Sequence, residues 1–156
     1  MVVSALNGTP GNVEYVVVAG GGSGSARHGG GGGAGGLRTN VSGDPLAGSA
    51  MALTETTYPV TIGAGGNPVG PGSSATPGNK GNDTSFNSIT SEGGGAATHA
   101  SSPDCPVNPG GSGGASHDAT CPSAGNDPPV SPPQGNPGGA SGSYPSPNGN
   151  TTGGAG

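Results

Sequence analysis

The sequence predicts a mainly β fold with much irregular structure, in which a few short strands alternate with packed extended segments of polyglycine and polyproline II type and helix is almost absent. Three observations predict it. The chain of 156 residues holds 38 Gly and 17 Pro, about a third of the total, a level at which conventional packing gives way to low complexity. Only 27% of the residues are hydrophobic, so a conventional core is out of reach for most of the chain. Against this background, three stretches carry β-branched and aromatic residues in strand-like patterns.

The first stretch, Val13-Glu14-Tyr15-Val16-Val17-Val18, is nearly continuous in apolar character and stops at Gly20, which predicts a strand covered on both faces. The second, Leu53 to Ile62, reads as a turn feeding a strand in which Tyr58, Val60 and Ile62 share one face at period two. Pro59 has no N–H to give to a ladder, so this strand is expected at a sheet edge. The third, Ser85 to Thr90, is a weaker strand signal.

Between and after them, residues 20–36, 63–81 and 93–156 are built from Gly, Pro, Ser, Ala and Asn. Pro and Gly recur too often there for a helix to propagate. Pro presets the polyproline II dihedral and Gly permits it, giving an extended threefold helix with no internal hydrogen bonds. The collagen arrangement needs Gly at every third position, a register that GNPGGASGSYPSPNGN does not keep. Poly-Gly runs such as Gly29 to Gly33 can instead pack as bundles, since bare backbones approach closely enough for Cα–H···O contacts. Gly loses more backbone entropy on ordering than any other residue, so the runs are expected to need partners from neighbouring chains.

Charge and motifs exclude several functions. Three separated basic residues (Arg27, Arg38, Lys80) and a net charge of −5 do not suit nucleic acid or an anionic membrane, and no stretch approaches a membrane span. The start, MVVSALNGTPGN, lacks the basic n-region of a signal peptide. The window Gly30-x-Gly32-x-x-Gly35 matches the dinucleotide fingerprint, but no helix follows to receive a phosphate. His99, Cys105, His117 and Cys121 lack the paired C-x-x-C spacing of a zinc site. Asp104 and His117 with a nearby Ser lack a scaffold that could hold a triad. No metal, no cofactor and no enzymatic activity are expected.

Other residues suggest surface chemistry. Cys105 and Cys121 are a candidate disulfide, which would close a loop worth about 3 kcal/mol and imply an oxidising compartment; free thiols are the alternative. Tyr144, alone among Ser, Gly and Asn, is a candidate surface contact for a sugar or a protein, or else a solvated or subunit-packed ring. Sequons at Asn7, Asn40, Asn82 and Asn150 are candidate glycosylation sites where the machinery exists.

In order, VEYVVVAGGG from Val13, GGGGGAGGLRTN from Gly29, YPVTIGAGG from Tyr58 and GNDTSFNSITSEGGG from Gly81 resemble the glycine-rich domain found in many phage tail-fibre and other virion-surface proteins. The likeness covers residues 13–95; from Ala96 onward it is one of composition. The chain accordingly divides into an N-terminal segment 1–12, a glycine-rich β domain 13–95 and a Pro/Gly/Ser-rich extended region 96–156, expected to continue beyond its GGAG end. The resemblance implies a non-enzymatic structural module of a tail or head fibre, located on the virion surface. Its partners would be itself as a trimer or filament, other virion proteins, and host surface glycans. It carries over no catalytic residue. The alternative is a self-assembling extracellular fibril or matrix subunit, coated with sugar. Pro59, the Pro-rich second half and the cysteine pair depart from the family pattern.

Overall fold

The computed structural model describes residues 11–26, 29–71, 76–98, 108–116, 123–140 and 156. Among them there is no helix, and seven short strands form three small antiparallel sheets. Strands β1 (Gly11–Val13) and β4 (Met51–Leu53) pair, as do β2 (Val16–Val18) and β3 (Leu37–Thr39); β5 (Val60–Thr61), β6 (Thr84–Phe86) and β7 (Ile89–Ser91) form a third sheet in the order β5-β6-β7. The mainly β, helix-free architecture expected from composition is the one present.

The strand at Val13 to Val18 is corrected in two respects. It is split at Glu14 and Tyr15, where the Asn40 carboxamide enters the ladder: Asn40 Oδ1 accepts the Tyr15 N–H at 2.7 Å and its Nδ2 donates to the Val13 carbonyl at 2.8 Å. It also alternates rather than burying both faces. Val13, Tyr15 and Val17 point inward, whereas Val16 and Val18 are 39% and 51% exposed. Asn40 replaces two ladder bonds that no backbone supplies, so Asn40→Ala is expected to cost about 1–3 kcal/mol, read as a shift in the denaturation midpoint.

The third stretch is a hairpin, not one strand. Phe86 faces Ile89 across Asn87 and Ser88, and Asn87 takes φ 52°, the left-handed conformation that Asn tolerates better than most side chains. The second stretch begins on the last residue of β4, Leu53, and yields a strand of its own only at the two residues of β5, at the sheet edge as Pro59 requires. Its predicted common face is not buried, since Val60 and Ile62 are exposed; Tyr58 alone packs inward, its ring 6.2 Å from that of Phe86. Strands β3 and β4 carry weaker signals, Leu-Arg-Thr and Met-Ala-Leu, and arise through pairing. The apolar core is correspondingly small: Tyr15, Val17 and Phe86, flanked by Met51, Leu53, Tyr58 and Ile89.

Beyond the strands, the glycine-rich segments form a lattice held by their own main chains. Ala19, Gly22 and Ser25 donate to Gly36, Gly33 and Gly30, while Gly20, Ser23 and Ala26 donate to Asn82, Asn79 and Thr76. Donors therefore recur at every third residue toward one neighbour and shift by one residue toward the next. This is the signature of a helix with three residues per turn. The same spacing links Gly33 and Gly36 to Gly95 and Glu92, and Ser112 and Ala115 to Ala34 and Gly31. The bonds run across position 96, so residues 110–116 belong to the same lattice as 19–26, 29–36 and 92–98. Neighbouring chains are not needed to order the glycine runs: their partners come from other runs of the same chain.

Close approach explains the residue type. A methyl group at Gly33 would lie 2.2 Å from the Ser112 carbonyl oxygen, and one at Gly94 2.2 Å from that of Gly33. The entropic cost of glycine is offset by main-chain hydrogen bonds, each worth about 0.5–1.5 kcal/mol net, and by closer backbone contact.

Candidate functional site

Hydroxyl side chains tie the strands to one another and to the glycine-rich segment that follows β5: buried Ser91 donates to the Val17 carbonyl at 2.7 Å, Thr39 to the Tyr15 carbonyl at 3.0 Å, and Thr84 Oγ1 accepts the Gly63 N–H at 3.0 Å. The Pro-rich turn 127–133, with cis peptides before Pro128 and Pro132, is closed on itself by the Asn126 carboxamide and joined to the lattice by that of Gln134. Asn126 Oδ1 accepts the N–H groups of Val130 and Gln134 at 3.2 and 3.1 Å. The buried Gln134 side chain accepts the Glu92 N–H at 2.8 Å and donates to the Pro128 carbonyl at 3.2 Å.

This clamp brings Ser131 to the rim of a recess of about 420 Å³, lined also by Tyr15, Arg38, Met51, Asn87 and Ile89. Three separate connections thus contribute to one concavity: residues 48–52, the Asn87-Ser88 turn and the Pro-rich turn. Its cation is Arg38. Lys80 lies elsewhere, ion-paired with Glu92, a partly solvated pair worth about 1 kcal/mol at most.

Tyr58 sits outside the recess. Its hydroxyl accepts the Thr54 N–H at 2.7 Å and lies 3.1 Å from Thr54 Oγ1, and these bonds to Thr54, the side-chain one first, hold its pKa below the ordinary 10.0. The folded state therefore binds this proton less tightly than the unfolded chain does. The linked stabilisation is present above pH 10 and fades as pH falls through the lowered folded value.

The residues singled out from sequence do not converge on one place. Cys105, Cys121, His99, His117, Asp104, Tyr144, Asn7 and Asn150 lie outside the described residues. Tyr15 is a core residue, 2% exposed. Asn40 commits both ends of its carboxamide to the β1–β2 backbone, while Asn82 is exposed and bonded through its main chain to Gly20 and Ala64. Gly30, Gly32 and Gly35 of the dinucleotide-like window have a packing role. A methyl at each would fall within about 2.5 Å of Ala115, Gly22 or Ala19 respectively.

The recess itself was missed in the sequence. Arg38 reads there only as one of three separated basic residues, and Gln134 and Ser131 as part of a low-complexity run. Asn87-Ser88 carried the one usable signal, a turn-forming pair between two apolar residues.

No curated protein and no solved structure matches the chain. The family model of the glycine-rich domain matches residues 3–156, reaching past the stretch on which the motif likeness rests. Over nearly its whole length, then, the chain belongs to the glycine-rich domain family.

Proposed function

We propose that the chain is a non-enzymatic structural module of a virion fibre, on tail or head, that associates with copies of itself and exposes a face for host or other surfaces. The observation that carries this reading is the main-chain lattice. Because the scaffold is bonded through backbone groups, the connecting loops are free to vary without loss of the fold, as a surface-binding module needs.

Self-association is supported at the opposite kind of surface. Strand β5 is an open sheet edge, and Val60 and Ile62 beside it are 43% and 68% exposed, a combination that pairs readily with another chain. Ile62→Lys is expected to shift the assembly toward monomer by about tenfold or more in sedimentation equilibrium, with little change in thermal stability. An unchanged oligomer would remove this edge from the interface.

Electron microscopy of the native particles carrying the chain tests the reading as a whole. Density on a tail or capsid fibre is expected. Free filaments with a constant helical repeat and no virion would replace it with a self-assembling extracellular fibril subunit.

A further inference from the structure

The geometry points to the Arg38 recess as a binding site for an acidic saccharide, whose carboxylate or phosphate group takes the guanidinium. Arg38 lies directly opposite Val17 in the β2–β3 ladder, and directly paired residues project from the same face of a sheet. Val17 is 1% exposed, so Arg38 projects from the core-facing side and is itself half-buried.

A partly desolvated cation is costly unless paired. Among the described residues, however, Arg38 has no carboxylate within 4 Å and no side-chain hydrogen bond, the ion pair there being Lys80 with Glu92. Its planar fork of N–H donors is shaped for a two-oxygen anion. It opens instead into the recess.

The rest of the lining favours a sugar over another anion carrier. Ser49, Ser131 and Asn87 bring hydroxyl and amide groups to the rim, while Ile89 and Met51 add an apolar surface on which the C–H face of a pyranose ring can rest. The volume of about 420 Å³ falls within the roughly 300–1,000 Å³ of small-ligand sites. The net charge of −5 works against anions at long range, but that field is screened beyond about 8 Å at physiological salt. A direct contact with Arg38 is not.

This inference rests on the surface-binding reading only for the source of the sugar. It is tested on the full chain with a panel of uronate-containing, sialylated and phosphorylated oligosaccharides, each beside its methyl-esterified or dephosphorylated counterpart, by calorimetry or saturation-transfer NMR. Binding of an acidic member without its neutral counterpart is expected, weakened at least tenfold in Arg38→Gln. Ser88→Trp, at an exposed turn, fills the recess without touching the cation and should abolish binding; it decides the matter if Arg38→Gln melts early. Binding to no acidic member, equal binding of the neutral forms, or full binding by both variants overturns the inference. Particle microscopy separates the two readings: acidic-sugar binding by a chain absent from virions sinks the fibre module alone, whereas a chain seated on a fibre without such binding sinks this site alone.

Discussion

Gly33→Ala is expected to destabilise the protein by about 3 kcal/mol or more, the upper end of overpacking effects, whereas Gly31→Ala, two residues away in the same five-glycine run, is expected to be neutral or to stabilise it by about 0.4–1 kcal/mol. At Gly33 the added methyl meets the Ser112 and Gly113 carbonyl oxygens at 2.2 and 2.6 Å. Neither is the tip of a side chain that could swing away. Moving residues 112–113 strains the Gly95 N–H to Ser112 bond of 2.8 Å, and moving residue 33 strains its bonds to Gly95 and Gly22. At Gly31 the same methyl meets nothing within 4 Å, so the backbone is unaffected and the unfolded chain loses freedom. Urea denaturation of the two variants checks the pair. Equal destabilisation would mean that the run resists any side chain, and that close approach is not the reason for glycine at residue 33.

Phe86→Ala is expected to cost about 3–5 kcal/mol, a large share of the roughly 5–15 kcal/mol that holds a domain folded. The size of the effect follows from the smallness of the core. Phe86 is 3% exposed and is one of three buried side chains in the apolar cluster. Its ring lies against Tyr58 at a tilt of 57°, and on the strand side it anchors both the β5 and β7 pairings. Few other apolar groups stand nearby to close the resulting cavity. A lower denaturant midpoint at unchanged slope, with loss of the near-ultraviolet tyrosine signal, is the expected readout.

The two substitutions mark how far the sequence could be read. Local signals were sufficient where one residue dictates one outcome: Pro59 placed β5 at an edge, and the glycine runs announced extended packing without helix. They failed where pairing decided. Leu37 to Thr39 has little strand character of its own and becomes a strand because Val16 to Val18 lies beside it. The apolar continuity of Val13 to Val18 concealed its alternation, because the outward Val16 and Val18 carry the same residue type as the inward Val17. The lattice was legible as a class of packing, but its order was not. Which run meets which is set by contacts between residues far apart in sequence, such as Ala115 with Gly31 and Leu37 with Gln134, and glycine offers no side chain by which one run can be told from another. The recess was least legible of all, since Arg38, Asn87 and Ser131 come from three distant stretches, brought together by the packing of β3 against β7 and by the bonds of Gln134 to Leu37 and Glu92.

The main-chain lattice also sets how stability responds to temperature. Heat capacity rises when apolar surface is exposed on unfolding and falls when polar surface is exposed. Here the apolar cluster is small, and what the lattice releases to water is largely peptide N–H and C=O. The heat-capacity increment should therefore fall below the roughly 12–15 cal/mol/K per residue of ordinary domains, which flattens the Gibbs–Helmholtz dome. A shallow dome loses little stability on cooling, so the chain should keep its shape in the cold as well as at its optimum, where a protein held mainly by hydrophobic burial weakens.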